Sequence, residues 1–245
     1  TLTVTGDTTI HHNTAVHGGG LAHSGGALLW QSTGAIADNV ADDDGGGVHL
    51  TWTSAVDGLR VERNAAERGG GIYSASSVTF TGLTVTDNDA SGAGGGLFLL
   101  VDDGPVIGFA RYQAGDPTWT VNGGAWTGNT SEQGGAIWLS EGGLFVNDAT
   151  IDGNGATTGG GMWLGGGASA WLTGGSVRNN IAATGGGAAL EGVEPYLYGT
   201  LTAWGNLPSD VSINGIAAGV PSTTFSCDAA SCSPMMENPG GIILQ

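Results

Sequence analysis

The chain has 245 residues, of which 49 are glycine, and its hydrophobic content of 40% with 8 tryptophans is sufficient for a buried core. Glycine at this share, without recurring at every third position, excludes collagen. Acidic residues number 22 against 5 basic ones, and the formal net charge of −17 argues against a nucleic-acid partner, because a phosphate surface attracts clustered cations. No stretch approaches the roughly 18 consecutive apolar residues of a membrane helix, so no membrane span is expected in this chain.

A short motif returns seven times, at intervals of 24–26 residues apart from one longer gap. Each copy has an apolar residue, an asparagine three residues later, Ala or Ser two residues after that, and then Gly-Gly-Gly or Gly-Gly-Ala. The asparagines are Asn13, Asn39, Asn64, Asn88, Asn129, Asn154 and Asn180. A diverged eighth copy carries Asn206, and the interval of 41 residues between Asn88 and Asn129 predicts an insertion near residues 101–118.

Between the motifs, apolar and polar residues alternate with period two, as in Val78-Thr79-Phe80, which is typical of strands. Glycine triplets would break the helices of a helical repeat. The sequence therefore predicts an all-β fold, a single-stranded parallel β-helix (β-solenoid) of about eight coils over residues 1–206, right-handed like most parallel crossovers. We expect the asparagines to be structural, each hydrogen-bonding to the backbone and to its equivalent one coil away.

The apolar-x-x-Asn element with its Gly-Gly-Ala/Gly-aliphatic partner covers roughly residues 10–206. It resembles the repeat of polymorphic outer-membrane proteins, the β-helical passenger domains of autotransporter-type adhesins, and that of other bacterial right-handed β-helix surface proteins. Here the residue three before each asparagine is Ile, Val or Trp instead of Phe. The resemblance implies a right-handed β-helix with a non-catalytic role at the cell surface.

Stacked coils place equivalent residues in columns, and one column, two residues after each glycine triplet, is predicted to face solvent. In five consecutive coils this column carries a ring, and these residues form the candidate binding stripe: His49, Tyr73, Phe98, Trp138 and Trp163. Ala22 and Ala189 flank them. The rings could present a flat surface to a carbohydrate or a docking strip to a protein partner. The alternative is that neighbouring rings only stabilise adjacent strands.

Stacking also predicts cross-coil ion pairs that leave their arginines poor candidates for catalytic cations. Arg63 lies one coil from Asp38 and Asp87, Arg68 one coil from Asp44, and Arg178 one coil from Asp152. Catalysis is therefore not expected. The alternative is a polysaccharide lyase in the insertion, which holds Asp102, Asp103, Arg111, Tyr112 and Asp116.

No metal site or cofactor is expected. The histidines all lie in the first 49 residues, at spacings that match no metal motif: His11, His12, His17, His23 and His49. His23 falls at an inward position, where a hydrogen-bonded core histidine is the ordinary case. The acidic residues Asp42–Asp44 and the pair Asp87 and Asp89 favour a solvated acidic corner, with Ca²⁺ binding as the open alternative.

Residues 207–245 lose the glycine motif and gain four prolines, which predicts a capping segment. Cys227 and Cys232 are the only cysteines, and we expect them to close a small disulfide loop in an oxidising compartment, with free thiols as the alternative. At the other end, residues 1–5 read as a strand within a coil, and an uncovered strand edge attracts further strands. Three alternatives follow: a preceding segment was removed, an N-terminal domain is missing, or the end of another copy packs there and gives end-to-end stacking.

These features favour a secreted or surface-displayed, non-catalytic protein with a structural or adhesive role. Its expected interactions are end-to-end self-association into a filament and a carbohydrate or other cell-surface partner. The alternative is a carbohydrate-binding or polysaccharide-cleaving β-helix. An ice-binding solenoid ranks last, because Thr-x-Thr runs such as Thr84-Val85-Thr86 do not keep one register over successive coils.

Overall fold

A computed structural model describes residues 1–100, 117–165, 167–191, 196–209, 211–213, 216–218, 225–227 and 232–233. Within these ranges the secondary structure consists of strands and turns, without a helix. The predicted insertion near residues 101–118 and most of the predicted capping segment lie outside the described residues.

The strands are short, and most have two to six residues. In the first half of the chain they are β1 (Leu2–Gly6), β2 (Ile10–His11), β3 (Thr14–His17), β4 (Leu21–Ser32), β5 (Ile36–Ala37), β6 (Val40–Asp44), β7 (Val48–Asp57), β8 (Arg60–Glu62), β9 (Ala65–Arg68), β10 (Ile72–Ser74), β11 (Thr79–Thr81), β12 (Thr84–Thr86), β13 (Asp89–Ala93) and β14 (Leu97–Leu99).

The second half continues the same succession. Its strands are β15 (Thr118–Asn122), β16 (Ala125–Thr127), β17 (Thr130–Gln133), β18 (Ile137–Leu139), β19 (Gly142–Asn147), β20 (Thr150–Asp152), β21 (Gly155–Thr158), β22 (Met162–Leu164), β23 (Ala168–Arg178), β24 (Ala188–Leu190), β25 (Tyr196–Trp204), β26 (Val211–Ile213), β27 (Ile216–Ala218), β28 (Phe225–Cys227) and β29 (Cys232–Ser233).

Through β26, the strands pair in parallel with their equivalents in the neighbouring coils. β12, for example, pairs with β8 and β16, so that Val85 lies between Val61 and Trp126. The strands that follow the asparagines form a six-stranded parallel sheet in the order β21-β17-β13-β9-β6-β3. The chain is thus a β-solenoid of about 7 turns, consistent with a right-handed parallel β-helix, and the predicted fold class is confirmed.

The interior is a stack of apolar side chains contributed by the same position of every coil. The residue three before each asparagine points inward. From the second coil onward this column is fully or almost fully buried: Ile36, Val61, Val85, Trp126, Ile151 and Val177. Parallel stacking places equivalent residues in contact, so a sequence with a fixed period builds one continuous core.

The asparagine file (Asn13, Asn39, Asn64, Asn88, Asn129, Asn154, Asn180 and Asn206) runs along this core and is buried except at Asn13. In each of the first seven, the main-chain N–H and Nδ2 both donate to Oδ1 of the asparagine in the next coil, at 2.9–3.1 Å. From the second coil onward, Nδ2 also donates to a main-chain carbonyl of the preceding coil. The buried asparagine amides therefore have hydrogen-bond partners, and these bonds join each coil to the next.

The residue immediately before each asparagine adopts a left-handed conformation. Its φ is 53–57° in the non-glycine cases, which are His12, Asp38, Arg63, Asp87 and Asn179. Glycine occupies the same position in the other three coils, as Gly128, Gly153 and Gly205. This turn aims the asparagine inward and explains why glycine alternates with polar residues in this column.

The three positions of the glycine triplet have different constraints. Gly69, the first in its coil, has a φ of +64°, which L-residues rarely adopt. A Cβ on the second, Gly70, would overlap the backbone of Asp89 in the next coil. A Cβ on the third, Gly71, would lie 2.7 Å from the carbonyl oxygen of Gly96, and Ala136 shows that alanine is accommodated at this position in one coil.

The parallel register ends at β26. Beyond it the described strands pair in antiparallel fashion, β25 with β28, β26 with β27, and β28 with β29. Cys227 and Cys232 are direct Cα partners in the last of these pairs.

Candidate functional site

The candidate binding stripe forms a continuous stack of rings. Successive ring centroids from His49 through Tyr73, Phe98 and Trp138 to Trp163 lie 4.8, 5.5, 4.3 and 5.1 Å apart, with interplanar angles of 4–9°. His17 extends the stack beyond His49 at 5.5 Å, tilted by 40°. The order follows from the register, because β7, β10, β14, β18 and β22 pair these residues directly.

The prediction that this column faces solvent is wrong for Tyr73 and Phe98, which are only 6% and 3% exposed. Each ring is covered on both faces by its neighbours, and Ala75, Ala93 and Leu100 pack against the same cluster. The guanidinium of Arg68 lies over both rings, 5.8 Å from the Tyr73 centroid and 5.7 Å from the Phe98 centroid. The stripe is a second apolar core outside the solenoid wall.

Stacking restricts what the stripe can bind. A sugar ring packs on the face of an aromatic ring, and the faces of Tyr73, Phe98 and Trp138 are covered by neighbouring rings. The indole N–H groups are also engaged: Trp138 donates to Gln133 Oε1 at 3.2 Å and Trp163 to Glu191 Oε2 at 3.0 Å. The geometry supports stabilisation of adjacent strands, the alternative considered above.

A different tryptophan presents its ring to solvent. Trp52 is 81% exposed and has a φ of +54°. It lies in the bent strand β7, opposite the Gly25-Gly26 bend of the preceding coil. Trp52 borders a groove of about 370 Å³ that is otherwise lined by small and hydroxyl-bearing residues: Thr51, Thr53, Ser54, Ala75, Ser76, Ser77 and Pro117. A free indole face beside several hydroxyls is a suitable environment for a sugar ring.

The sequence offered little signal for Trp52. Neither its exposure nor its left-handed backbone follows from the repeat, because β7 departs from the regular register with β4 just after Trp52, between Thr53 and Ala55. A bulky residue at positive φ has a strained backbone that costs about 1–3 kcal/mol, and residues with such strain cluster at functional sites.

Three of the predicted cross-coil ion pairs are confirmed, whereas no ion pair of Arg63 with Asp87 is found among the described residues. Arg63 Nε and Nη2 lie 2.9 and 3.0 Å from the Asp38 carboxylate, Arg178 Nε lies 2.9 Å from Asp152, and Arg68 contacts Asp44. The hydrogen bond from Arg63 holds the pKa of Asp38 below its usual value, and the same bond raises the pKa of Arg63. These arginines hold adjacent coils together.

The acidic corner is only partly solvated. Asp44 is buried, with Oδ1 2.8 Å from Arg68 Nε, outside linear hydrogen-bond geometry, and Oδ2 accepting a 3.0 Å bond from Nη2. Burial raises the pKa of Asp44, and Arg68 opposes the change. His17 Nδ1 lies 3.4 Å from Asp44 Oδ2, and His49 completes a cluster whose ligand atoms all lie within 4.8 Å of one another. Burial lowers the pKa of His49.

His23 occupies the predicted inward column, in register with Leu50. The expectation of a hydrogen-bonded core histidine is wrong, because its Nε2 is buried and has no hydrogen-bond partner among the described residues. The neighbouring inward position is filled by a leucine, which offers no acceptor.

The alternative catalytic residues of the insertion, Asp102, Asp103, Arg111, Tyr112 and Asp116, lie outside the described residues. Among the residues that are described, no helix has the length and apolarity that a bilayer crossing requires. Comparison of the chain with protein-family models, with curated proteins and with solved structures finds no match.

Proposed function

We propose that this chain is a non-catalytic, extracellular β-solenoid with a structural or adhesive role. The observation that supports it most is the use of repeated side chains as contacts between coils. The asparagine file bonds to itself, the rings stack on one another, and Arg63, Arg68 and Arg178 pair with carboxylates of the preceding coil. The side chains that recur from coil to coil thus make the solenoid rigid, as a structural or displayed rod requires.

The extracellular location is supported by the backbone at the two cysteines. Direct partners in an antiparallel pair have Cα atoms about 4.5–5.5 Å apart, within the range that a disulfide spans. Cys227 and Cys232 are such partners. We propose that they form the expected disulfide, which persists in oxidising compartments. Intact-mass measurement after alkylation, with and without prior reduction, tests it: alkylation of both cysteines without reduction would contradict the bond.

Antibody labelling of intact and permeabilised source cells tests the proposed location. Labelling of intact cells, removed by external protease, is the expected result. Signal confined to permeabilised cells would contradict an extracellular role.

Assays of polysaccharide cleavage with the same protein are expected to release no unsaturated sugars, and release that is abolished by Arg111→Ala would establish the lyase alternative instead. Light scattering of the native protein tests end-to-end association: assemblies larger than a monomer are expected, and a monodisperse monomer would contradict it.

A second candidate function is carbohydrate binding at the groove beside Trp52. It is favoured by the exposed indole and the hydroxyl-bearing lining, and not by the stacked stripe. Glycan-array binding by the native protein is expected to be lost in Trp52→Asn and retained in Trp163→Ala. Asparagine is chosen to replace Trp52 because it tolerates positive φ, and Trp163→Ala is the control. The opposite pattern, in which glycan binding is lost in Trp138→Ala and Trp163→Ala, would place the binding site on the candidate binding stripe instead.

A further inference from the structure

We propose that His17, Asp44 and His49 form a Zn²⁺ site that joins the first two coils. The three side chains come from different strands: His17 ends β3, Asp44 ends β6, and His49 is the second residue of β7. Their potential ligand atoms all lie within 4.8 Å of one another. No spacing along the chain marks this cluster, because it is assembled across the glycine corner.

The meeting of these residues is a property of the corner itself. The column just before the glycine triplet and the ring column after it face one another in other coils as well. Gln133 accepts a hydrogen bond from Trp138 across the fifth corner, and Arg68 lies over Tyr73 and Phe98. At the front of the solenoid the same crossing places His17 and Asp44 beside His49, and because the residue in register with His49 is the small Ala22, the ring of His17 lies next to it, 5.5 Å away.

The donor set suits a borderline divalent metal. Two imidazole nitrogens and one carboxylate oxygen are ligands of Zn²⁺, whereas Ca²⁺ and Mg²⁺ prefer oxygen alone. With Zn–N and Zn–O bonds of about 2.0–2.2 Å, two ligand atoms in a tetrahedral site lie about 3.4 Å apart. His17 Nδ1 and Asp44 Oδ2 are already 3.4 Å apart. Rotation of His17, whose side chain is 47% exposed, can shorten its separation from His49.

Neighbouring groups hold two of the ligands in place. The ring of His49 is stacked on Tyr73 at 4.8 Å and 4°, which fixes its plane while leaving the in-plane lone pair accessible. Neither ring nitrogen of His49 makes a hydrogen bond to any described residue. Arg68 orients the Asp44 carboxylate by its contacts at 2.8 and 3.0 Å. A carboxylate oxygen has two lone pairs, so Oδ2 can accept from Arg68 and still bind a metal.

The site would act as a clip with one open position. Three protein ligands leave the fourth tetrahedral position to water, on the exposed side of His17. Because the ligands belong to successive coils, metal binding would stabilise the pairing of β3 with β6 at the front of the solenoid, as any ligand specific to the folded state does.

The test is titration of the full chain, freed of metal with EDTA, with Zn²⁺ by calorimetry, and with Co²⁺ to record the absorption bands of a tetrahedral site. We expect one Zn²⁺ per chain, a rise in the thermal midpoint, and an affinity at least about tenfold lower in His17→Ala and in His49→Ala. His17→Ala removes an exposed side chain, so its midpoint in EDTA is expected to match that of the native chain.

The matched control is the other histidine pair, His11 and His12, whose Nδ1 atoms lie 2.6 Å apart on the exposed surface. The double variant His11→Ala/His12→Ala is expected to retain native affinity. The proposal is overturned if this double variant loses Zn²⁺ binding while His17→Ala retains it. It is equally overturned if the native chain shows neither heat of binding nor a change in midpoint at millimolar Zn²⁺.

Discussion

Asn88 Oδ1 accepts two hydrogen bonds from Asn64, one from its main-chain N–H and one from its Nδ2, both 3.0 Å long. The same side chain donates through Nδ2 to the carbonyl oxygens of Val61 and Thr86 and to Asn129 Oδ1. One fully buried amide therefore joins three coils. Only a group with an acceptor on one side and donors on the other can occupy this place in the file.

Asn88→Asp tests the hydrogen bonding without changing the side-chain volume. The new carboxylate oxygen would face three acceptors instead of donating to them, an uncompensated buried charge. We expect the free energy of unfolding to fall by about 3–5 kcal/mol at pH 7, measured by urea denaturation. Burial and the three facing acceptors raise the pKa of such a carboxyl, and the two donors of Asn64 only partly oppose this, so the deficit is expected to shrink as the pH falls and the group protonates.

Asn13→Asp is the matched control, because Asn13 begins the same file but is exposed. Its substituted carboxylate stays hydrated, and we expect a loss below about 1 kcal/mol. Equal losses in the two variants would contradict a role for burial in the file.

The glycine triplet predicts a contrast between two alanine substitutions. Gly70→Ala inserts a methyl group into the backbone of Asp89, whereas Gly82→Ala has no atom within 4 Å but a φ of +63°. Gly82→Ala is expected to lose only the 1–2 kcal/mol or so of a left-handed alanine. Gly70→Ala is expected to lose at least twice as much, or to prevent folding, because backbone cannot move aside. Thermal unfolding of both variants measures the difference, and a tolerated Gly70→Ala would refute the packing of this corner.

The ring stack predicts a large energetic role for Phe98. Removing a buried phenylalanine side chain lowers the free energy of unfolding by about 3–5 kcal/mol, and Phe98 lies between Tyr73 and Trp138. Phe145→Ala is the comparison: Phe145 stacks on Trp171 at 4.7 Å but is only half-buried. We expect a clearly smaller loss there in urea denaturation. A loss at Phe98 no larger than that at Phe145 would argue that the stripe is an exposed binding surface after all.

Trp52 predicts a separation of stability from binding. Trp52→Asn removes an exposed side chain. It also relieves strain, because bulky residues rarely adopt the left-handed backbone conformation of Trp52 and asparagine tolerates it. The variant is expected to be as stable as the native chain, or more stable by up to about 1 kcal/mol. The measurement is the urea midpoint of both proteins. A marked destabilisation would mean that Trp52 supports the fold and is not held there for binding.

The period of the asparagines was enough to predict the solenoid and the ion pairs between coils. Arg63 and Asp38 are 25 residues apart, and a parallel stack places residues one period apart in contact. Any property that depends on a column contacting itself can be read from the sequence in this way. The ring stack follows the same rule, since Phe98 and Trp138 are paired by register.

What the period could not decide is how different columns contact one another. Burial of Tyr73 depends on Arg68 and Ala93 reaching across the corner, and the His17–Asp44–His49 cluster depends on the same crossing. The exposure of Trp52 depends on a local bulge in β7. Alignment of the columns just before and just after the glycines could have suggested the histidine cluster.

The sequence by itself determined the fold and the contacts along each column, because in a parallel β-solenoid residues that are one period apart along the chain lie next to each other in adjacent coils. Only the tertiary structure decided which aromatic faces remain free and which titratable groups converge. Those features arise where different columns meet across a corner and where a strand departs from the repeat, and both are set by packing between coils instead of by spacing along the chain.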